Sequence, residues 1–384
     1  MIKHLNKKIF YWSPFIVNIA TPKAVINSAI SINRYSDDFK AYIINFFREF
    51  DDFKSNHGLN ENNFINFYKS NFLKYLPKNG KIQSRISFLF IFLMSIRPLH
   101  KILKEKKPNF IVIQLITSLP LILLILFNYN TNFILRISGK PKLGFFRKLL
   151  WKIAFKKIYA VTCPTKNTFE YIKSLNIIQN EKLKILYDPV ICLKEINRLK
   201  KIEIIKKDNF FLAVGRLTKQ KNFLFLIKSF SQIVENNKEY KLYIVGDGEE
   251  RNKINYFIKN NKLEKNIKLI SFKDNIYPYY VAAKGFILTS LWEDPGFVLV
   301  EAAFLNTPIL SSNCKNGPDE ILDNGNNGVL FENNNEFSFR EKFNIFYKLD
   351  QKMKKEYMLK AKKYVKRFSF FSHYQKLKAV LEEL

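Results

Sequence analysis

The sequence contains little cysteine, and this shortage argues against two classes of protein. The 384 residues include three cysteines, Cys163, Cys192 and Cys314, and no CxxC pair occurs among them. Three widely spaced cysteines match neither the disulfide framework of a small secreted protein nor the ligand spacing of a zinc site. The cysteine pattern therefore favours a reducing compartment, and we predict a cytoplasmic location.

Acidic residues are also scarce, and the resulting charge is uneven. The chain has 33 Asp and Glu residues against 64 Lys and Arg residues, which gives a formal net charge of +31. Between Arg97 and Lys157 there are 13 basic residues and a single acid, Glu105, interleaved with aromatic side chains. Such a surface can face the phosphates of nucleic acid, of anionic lipid or of a lipid diphosphate. The alternative is a drift of composition towards Lys, Asn, Ile and Phe along the whole chain.

The sequence has no apolar run of the signal-peptide type near its start, so we expect no cleaved signal. One uncharged stretch, residues 110–127, approaches the length that crosses a bilayer. It is interrupted near its middle by Gln114, Thr117, Ser118 and Pro120. We therefore interpret it as a buried strand, a turn and an apolar helix, with a membrane span as the alternative.

Length and composition predict two globular α/β domains. The chain is 47% hydrophobic and 25% charged, and 384 residues exceed what one hydrophobic core usually supports. Short apolar strands alternate with helical segments, which is typical of doubly wound parallel sheets. We predict domains at 1–195 and 196–367, followed by a final helix at 368–384. The predicted strands are 9–11, 42–45, 110–114 and 133–137 in the first domain, and 211–214, 241–245, 267–270, 286–289, 309–310 and 328–331 in the second.

The first candidate phosphate-binding segment follows the strand at 211–214. Gly215 allows the backbone to approach a ligand closely, and Arg216 and Lys221 place two cations before the next helix. Cations beside a helix N-terminus suit a diphosphate, whose charge has to be neutralised when it leaves. A solvated turn in a lysine-rich protein is the alternative interpretation.

A second turn, Gly246-Asp247-Gly248, follows the strand at 241–245. Its glycines suit a tight turn beneath a nucleotide, but the final glycine of the GxGxxG dinucleotide motif is absent. We therefore assign Gly246 a supporting role.

Two glutamates, Glu293 and Glu301, bracket the segment Glu293-Asp-Pro-Gly-Phe-Val-Leu-Val-Glu301. Pro295 favours a helix start near Gly296, which puts Glu293 in the preceding loop and Glu301 one to two turns inside the helix. One carboxylate can then reach a sugar while the other accepts hydrogen bonds from ribose hydroxyls. The backbone amides expected to point at the ligand are those of Gly296, Phe297 and Val298. The alternative is that acidic side chains merely favour a helix N-terminus.

Together these segments resemble glycosyltransferase family 4, whose members have the GT-B fold. The matching elements are Val214-Gly-Arg216-Leu with Gln220-Lys221-Asn222, Ile244-Val-Gly246-Asp-Gly248-Glu, Glu293-x7-Glu301, and Cys314-x-x-Gly317-Pro318-x-Glu320. The resemblance implies two Rossmann-like domains facing a cleft, the first binding an acceptor and the second a nucleotide-sugar donor. It also implies that the final helix crosses back to the N-terminal domain.

The same resemblance implies roles for individual residues. Arg216 and Lys221 would bind the donor diphosphate and Glu293 the donor sugar, so these three are the catalytic candidates. Glu301 would bind the ribose. The other donor-binding candidates are Gly215, Gly246, Gly296, Phe297 and Val298. The resemblance further implies an α-linked product formed with retention of configuration, and neither a metal ion nor another cofactor.

The N-terminal half resembles the family less closely. Arg136-Ile-Ser-Gly139 and Cys163-Pro-Thr165 are similar to segments of members that build bacterial surface glycans. Asn18-Ile-Ala-Thr21 stands where a Gly-Gly pair is often found, and Gln114-Leu-Ile-Thr-Ser118 stands where a histidine often follows a central strand. We interpret the four histidines as surface or packing residues: His4, His57, His100 and His373.

The sequence therefore predicts a retaining transferase that takes a hexose or N-acetylhexosamine from a nucleotide-diphosphate sugar, with UDP as the expected nucleotide. The expected acceptor is a glycan or a polyprenyl-diphosphate-linked glycan of bacterial surface polysaccharide synthesis. Residues 97–157 are expected to contact an anionic membrane at its cytoplasmic face. No helix-turn-helix, zinc-finger or RNA-binding motif is visible, so we expect no nucleic-acid partner. Two alternatives remain: a sugar-nucleotide epimerase of the same fold, and a basic protein that binds membrane or nucleic acid.

Overall fold

The computed structural model describes residues 6–16, 20–53, 59–77, 81–141, 143–205 and 209–383. The chain divides into two compact units, one formed by Met1–Pro189 with Phe370–Leu384 and the other by Val190–Ser369. The domain boundaries expected from the sequence were after residues 195 and 367. His4, His57 and the first two residues of the Asn18–Thr21 segment lie outside the described residues.

In the described part of the first unit, seven strands form one parallel sheet. They are β1 (Lys7–Trp12), β2 (Phe39–Asn45), β3 (Phe64–Asn66), β4 (Phe110–Ile113), β5 (Asn132–Arg136), β6 (Ala160–Cys163) and β7 (Leu183–Ile185). Their order across the sheet is β3-β2-β1-β4-β5-β6-β7. The winding direction reverses between β1 and β4, and ligands of open parallel sheets bind beyond the carboxyl ends of the strands at such a switch point.

Helices cover both faces of this sheet. Those between its strands are α1 (Ala20–Tyr35), α2 (Lys81–Lys106), α3 (Ser118–Leu126), α4 (Phe145–Lys157) and α5 (Lys166–Ser174). One-turn 3-10 helices lie at Asp51–Phe53, Glu61–Asn63, Leu73–Tyr75 and Asn180–Lys182. A single hydrophobic core joins Leu99 of α2, Leu121 of α3 and Trp151 of α4 to Ile113 of β4. Because both faces are covered, β4 and β6 are buried along their whole length.

The uncharged stretch at 110–127 forms β4, a turn and α3, which confirms its interpretation as strand, turn and helix. Within the described residues, a different segment has the length and composition to cross a membrane, namely Arg85–Lys106 of α2. Only 39% of the most apolar 18-residue stretch of this segment is buried. In the second half of the helix, Leu99, Ile102 and Leu103 belong to the core. The first half of α2 therefore carries most of the exposed apolar surface.

The described part of the second unit contains six parallel strands in the order β10-β9-β8-β11-β12-β13. They are β8 (Phe210–Val214), β9 (Lys241–Val245), β10 (Ile267–Ile270), β11 (Gly285–Leu288), β12 (Ile309–Ser312) and β13 (Val329–Phe331). Its helices are α6 (Leu193–Leu199), α7 (Phe223–Asn236), α8 (Arg251–Asn260), α9 (Tyr277–Ala282), α10 (Phe297–Phe304), α11 (Pro318–Ile321), α12 (Glu336–Lys348) and α13 (Gln351–Val365), with 3-10 turns at Asp323–Gly325 and Lys366–Phe368. The two parallel sheets confirm the predicted α/β class.

The last helix, α14 (Phe370–Glu382), belongs to the first unit and packs against α1. The hydroxyl of Ser31 in α1 donates a hydrogen bond of 2.5 Å to the carbonyl of Phe370. Edge-to-face packing of Tyr35 on Phe371, with ring centroids 5.3 Å apart, extends the contact. The predicted return of the C-terminal helix to the N-terminal domain is therefore confirmed.

A buried hydrogen-bond chain connects α14 to the sheet through His373. Its Nδ1 lies 2.7 Å from the carbonyl oxygen of Tyr187, and its Nε2 lies 2.7 Å from the hydroxyl of Ser28. A carbonyl can only accept, so Nδ1 carries the proton of the neutral ring and Nε2 accepts from Ser28. The Ser28 oxygen lies 2.7 Å from the hydroxyl of Tyr11, which can donate to it. These hydrogen bonds engage both nitrogens of the neutral ring, and burial disfavours a second proton on it.

Protein stability is expected to fall with acidification because of His373. Burial lowers the pKa of the His373 imidazole from 6.5 to about 4, so the unfolded chain binds this proton more readily than the folded one. The contribution is complete above the unfolded pKa and is lost as the pH falls towards 4, which amounts to about 2 kcal/mol between about pH 7 and about pH 5. Urea unfolding at both pH values is the measurement. The His373→Gln variant should lose that part of the pH dependence, and an unchanged slope would contradict the assignment.

Candidate active site

The candidate site lies at the carboxyl ends of β8 and β11 in the second unit. These strands are neighbours in the sheet, and the winding direction reverses between them. The loop after β8 carries Gly215, Arg216 and Lys221, and the loop after β11 carries Glu293. Parallel strands end at the same edge, so the fold brings together segments that are about 70 residues apart in the chain.

Lys221 and Glu293 form a buried ion pair across this switch point. The Nζ atom of Lys221 lies 2.5 Å from Oε1 of Glu293, and the side chains are 13% and 6% exposed. The same carboxylate oxygen accepts a hydrogen bond of 2.5 Å from the hydroxyl of Ser290. Glu293 is therefore held in one orientation by two donors from two loops, and the ammonium group of Lys221 is held beside it.

Backbone contacts fix the two loops to each other. The amide of Leu291 donates to the carbonyl of Gln220, and the side-chain amide of Gln220 donates back to the carbonyl of Trp292. The hydroxyl of Thr289 donates to the carbonyl of Lys221 at 3.0 Å. These bonds position the Lys221–Glu293 pair before any ligand arrives, which lowers the cost of ordering the site on binding.

Gly246 brings the turn after β9 against the loop after β8. A Cβ atom at this position would lie 1.9 Å from the carbonyl oxygen of Gly215, so no other residue fits. The amide of Leu217 donates to the carbonyl of Asp247 and closes the contact. The two turns predicted to bind the donor are thus packed directly on one another, and Gly246 keeps that approach possible.

Helix α10 begins immediately after the β11 loop, with Gly296 as its N-cap residue at φ 97° and ψ 77°. This left-handed backbone conformation favours glycine. The amides of Phe297 and Val298 have no acceptor within the helix, because the first amides to bond there are those of Leu299 and Val300, which donate to the carbonyl of Gly296. A Cβ atom at Gly296 would lie 3.4 Å from Cγ of Glu293, so the helix start stands next to the ion pair. This end of α10 offers donors to an anion.

Glu301 lies one turn inside α10 and is only 4% exposed. The hydroxyl of Tyr280 in α9 is 3.4 Å from its Oε2 and 3.1 Å from the carbonyl oxygen of Val298. Burial raises the pKa of the Tyr280 phenol well above its usual value, and the charge of Glu301 raises it further. Tyr280 therefore remains neutral, and its single hydroxyl proton is shared between the Val298 carbonyl and the Glu301 carboxylate.

The structure brings two pairs of the predicted residues into contact, whereas the side chain of Arg216 has no polar partner among the described residues. Lys221 contacts Glu293, and Gly215 contacts Gly246. The Arg216 side chain is exposed, and within the described residues it has no hydrogen bond or ion pair. Ser290 was missed by the sequence interpretation, although its position two residues after the end of β11 was a usable signal.

Two further chemical properties of the site concern metals and thiols. The described residues contain no group of three or more His, Cys, Asp or Glu side chains placed to hold a metal ion. Burial raises the pKa of the Cys314 thiol to about 12, with the nearby Glu293 carboxylate as the second cause. Cys314 is thus a neutral packing residue and not a nucleophile.

Comparison with known proteins shows a family match within the second unit. Residues 195–365 match the family model described as glycosyl transferases group 1. Over the whole chain, the structure is similar to that of the Anabaena protein HepE in complex with UDP and glucose, with a TM-score of 0.71 at 16% identity. The match covers 99% of this chain and 100% of that protein. At this identity the likeness shows the fold, which is the GT-B arrangement of two parallel-sheet domains.

Two relatives extend the match in sequence. A Campylobacter jejuni enzyme named as an N-acetylgalactosamine-N,N'-diacetylbacillosaminyl-diphospho-undecaprenol 4-alpha-N-acetylgalactosaminyltransferase is 29% identical over 221 residues, which are 58% of this chain and 59% of that protein. An uncharacterized glycosyltransferase of Methanocaldococcus jannaschii is 30% identical over 294 residues, which are 69% of this chain and 71% of that protein. This chain belongs to the group 1 family of glycosyltransferases.

Proposed function

We propose that this glycosyltransferase moves a hexose or N-acetylhexosamine from a UDP-sugar to a hydroxyl of a glycan or lipid-linked glycan, with retention of configuration. The observation that carries the proposal is the buried Lys221–Glu293 pair at the switch point of the second sheet. In this proposal Lys221 stabilises the leaving diphosphate, and Glu293 accepts hydrogen bonds from the sugar hydroxyls.

The diphosphate has two cations and one helix start available. The Lys221–Glu293 pair is neutral by itself, so the exposed guanidinium of Arg216 supplies the net positive charge. The amides at the start of α10 add partial positive charge beside the same loops. Stabilisation of charge that develops on the leaving group is the largest single effect in many enzymes of this type.

Retention without a metal ion is the stereochemical part of the proposal. The Campylobacter relative is named for an alpha-linked product, and an α-linked product from an α-linked UDP-sugar means retention. In this proposal Arg216 and Lys221 take the place of a divalent cation at the diphosphate. Neither the binding step nor the transfer step then requires a cofactor.

The acceptor is proposed to carry a diphosphate-linked lipid. The name of the Campylobacter relative describes a diphospho-undecaprenol acceptor. The sequence match to that relative covers 58% of this chain. The first unit contributes a supporting feature, since 13 of the residues between Arg97 and Lys157 are basic and only Glu105 is acidic. Such a surface attracts an anionic headgroup.

A UDP-sugar is expected to raise the melting temperature of the protein. A ligand that binds only the folded state stabilises it by about 2.7 kcal/mol at roughly 100 times its dissociation constant. Thermal unfolding should be measured with UDP-glucose, UDP-galactose and their N-acetylamino counterparts, with a GDP-sugar as the control, in buffer containing a chelator. The stabilising sugar should then be transferred to a sugar-diphospho-lipid, and the anomeric configuration of the product should be read by NMR.

Three outcomes would count against this function. A protein that is stabilised by no UDP-sugar would contradict the donor assignment. A product with inverted configuration would contradict retention. Interconversion of sugar nucleotides without an acceptor would favour the epimerase alternative.

We propose that the first unit attaches peripherally to the cytoplasmic face of a membrane. Phe145 and Phe146 at the start of α4 are 78% and 84% exposed, and the helix continues this stripe with exposed Leu149 and Ile153. Exposed apolar residues also recur along the first half of α2, at Ile86, Leu89 and Leu93. Both helices contact α3, so the helices that carry the two stripes are packed in one layer of the unit.

The charge of this layer complements anionic lipid. Lysines follow one another every four residues along α4, at Lys148, Lys152 and Lys156, beside its apolar stripe. A helix with an exposed apolar stripe and flanking lysines lies in the plane of a membrane interface, where its rings insert and its ammonium groups meet headgroups. Each basic group near an anionic membrane surface strengthens the free energy of membrane binding by about 1 kcal/mol.

The double substitution of Phe145 and Phe146 by serine is expected to weaken vesicle binding at least tenfold. Burying one phenylalanine side chain contributes roughly 1.5–3 kcal/mol, so the loss of two rings exceeds that factor. Cosedimentation with phosphatidylglycerol vesicles measures binding, and phosphatidylcholine vesicles test the charge requirement. Phe337→Ser, at a phenylalanine that is 70% exposed on α12 of the second unit, is the control. Equal binding of the double variant and the native protein would contradict the proposal.

A further inference from the structure

A polar cavity of about 320 Å³ lies in the first unit, at the edge of the sheet where the strands begin. Lys7 begins β1, Phe110 begins β4 and Asn132 begins β5, and all three residues line the cavity. The strand register places these starting residues beside one another. Open parallel sheets bind their substrates at the opposite, carboxyl edge. A ligand in this cavity would therefore occupy a separate place on the first unit.

The lining of this cavity carries positive charge only. It contains two lysines, Lys7 and Lys107, and no Asp or Glu among the described residues. Neither lysine forms an ion pair within the part of the chain that the structure describes. A cleft lined by charge of one sign focuses the electric field and concentrates ions of the opposite sign. The cavity therefore attracts an anion.

Two acids that neighbour the cavity are already paired with other lysines. The carboxylate of Asp38, the residue before β2, lies 3.2 Å from Nζ of Lys378. The carboxylate of Glu383, two residues after Leu381 of the lining, lies 2.5 Å from Nζ of Lys184. These pairs neutralise both acids, so the charge of the two cavity lysines remains for a ligand.

Uncharged donors complete the lining. The side-chain amides of Asn130 and Asn132 make no hydrogen bond among the described residues. Asn109 accepts a hydrogen bond of 2.8 Å from the amide of Lys8 through its Oδ1, which leaves its NH2 group for another acceptor. The hydroxyl oxygen of Thr131, between the two other asparagines, is buried without a partner. Two cations with several N–H donors form the set that binds the oxygens of a phosphate.

We infer that this cavity binds the phosphate group of a small molecule. A phosphate offers several acceptor oxygens and negative charge, which match the donors and the cations of the lining. The volume lies at the lower end of the range of small-molecule sites, roughly 300–1,000 Å³, so the ligand is a free phosphate ion or a small phosphate ester. The lining belongs wholly to the first unit, and this site is independent of the donor chemistry proposed for the second.

Lysine labelling tests the site in the native protein. Acetylation by acetic anhydride, read by mass spectrometry, should slow about tenfold at Lys7 and Lys107 when inorganic phosphate or glucose 1-phosphate is present at roughly ten times its dissociation constant. Sodium chloride of equal ionic strength should not slow it. Lys40, an exposed lysine on β2, is the internal control and should keep its labelling rate. Stronger protection by glucose 1-phosphate would assign an ester, and equal protection would assign the free ion. Failure of both phosphates to protect the two cavity lysines, or equal protection of Lys40, would overturn the inference.

A charge-matched pair of variants measures the affinity. The double substitution Lys7→Gln with Lys107→Gln should weaken phosphate binding at least about tenfold, because one hydrogen bond to a charged group corresponds to about that factor. Titration calorimetry should be performed with UDP present to occupy the donor site. Lys40→Gln with Lys173→Gln removes the same charge at two exposed lysines and should keep the native affinity.

A second cavity variant covers the case in which the double substitution lowers stability. Asn132→Asp keeps both lysines and adds a negative charge to the lining, so it should also weaken phosphate binding. Urea unfolding checks that each variant is folded. Native affinity in both cavity variants would overturn the inference. Equal weakening in the control variant would also overturn it, since binding would then follow the overall positive charge of the protein.

Discussion

Arg216→Ala and Lys221→Ala are each expected to lower the rate of sugar transfer about 100-fold to 1,000-fold, the usual cost of removing one group that stabilises transition-state charge. The two variants should differ in stability. The Arg216 side chain is exposed and has no hydrogen bond or ion pair within the described residues, so its loss should leave the unfolding free energy unchanged. Lys221 neutralises the buried Glu293, and its loss should destabilise the protein by about 3–5 kcal/mol.

Kinetic and stability measurements on three variants distinguish these effects. The rate should be measured with a radiolabelled UDP-sugar at temperatures where each variant is folded, and stability should be measured by urea unfolding. Lys219→Ala is the matched control, because Lys219 is an exposed cation in the same loop. A full transfer rate in Arg216→Ala would show that a net positive charge on this loop is unnecessary, and it would contradict the diphosphate assignment.

Glu293→Gln is expected to lower transfer about 100-fold while leaving UDP binding intact or stronger. Glutamine keeps the size of the side chain and can still accept from Ser290, but it removes a negative charge next to the diphosphate site. With that charge gone, Lys221 attracts the UDP phosphates more strongly. The sugar loses a charged acceptor for its hydroxyls, since hydrogen bonds to a charged partner are roughly twice as strong as neutral ones.

The comparison of UDP with UDP-sugar affinity separates two roles of Glu293. If Glu293 contacts the sugar, titration calorimetry should show weaker UDP-sugar binding and unchanged or tighter UDP binding. If Glu293 serves only to hold Lys221 in place, the affinities for both ligands should fall together. The second pattern would contradict a direct contact with the donor sugar. Glu332→Gln, at an exposed carboxylate after β13, is the charge-matched control.

The loops of the second unit were predictable because the residues that determine them are close together in the sequence. Strand ends, the glycines at 215 and 246 and the helix start at Gly296 all depend on neighbouring residues. The contact between Lys221 and Glu293 joins residues 72 positions apart, so only the tertiary structure could reveal it. The two side chains were assigned separately to diphosphate and sugar, whereas the structure places them within one ion pair.

The first unit was less predictable for a different reason. Strands β3, β6 and β7 were not predicted. Strands β3 and β7 form the two edges of the sheet and are fully buried at only one of their three positions, so their apolar pattern is weak. Helix α2 was missed because its apolar residues occur on the exposed side as well as the core side, which blurs the helical period. The cavity at the edge where the strands begin could not be predicted, because its lining comes from segments that are far apart in the chain.

The membership of α14 in the first unit has a consequence for the order in which the protein is made. Residues 370–382 emerge from the ribosome after the whole second unit, and yet they cover α1 and supply His373 to Ser28. The second unit, Val190–Ser369, is a continuous stretch whose synthesis is complete before α14 appears. Domains that emerge first usually fold first during translation. Here the first unit stays incomplete until the second unit has been made, so its nascent form exposes the α1 surface while residues 190–369 are synthesised.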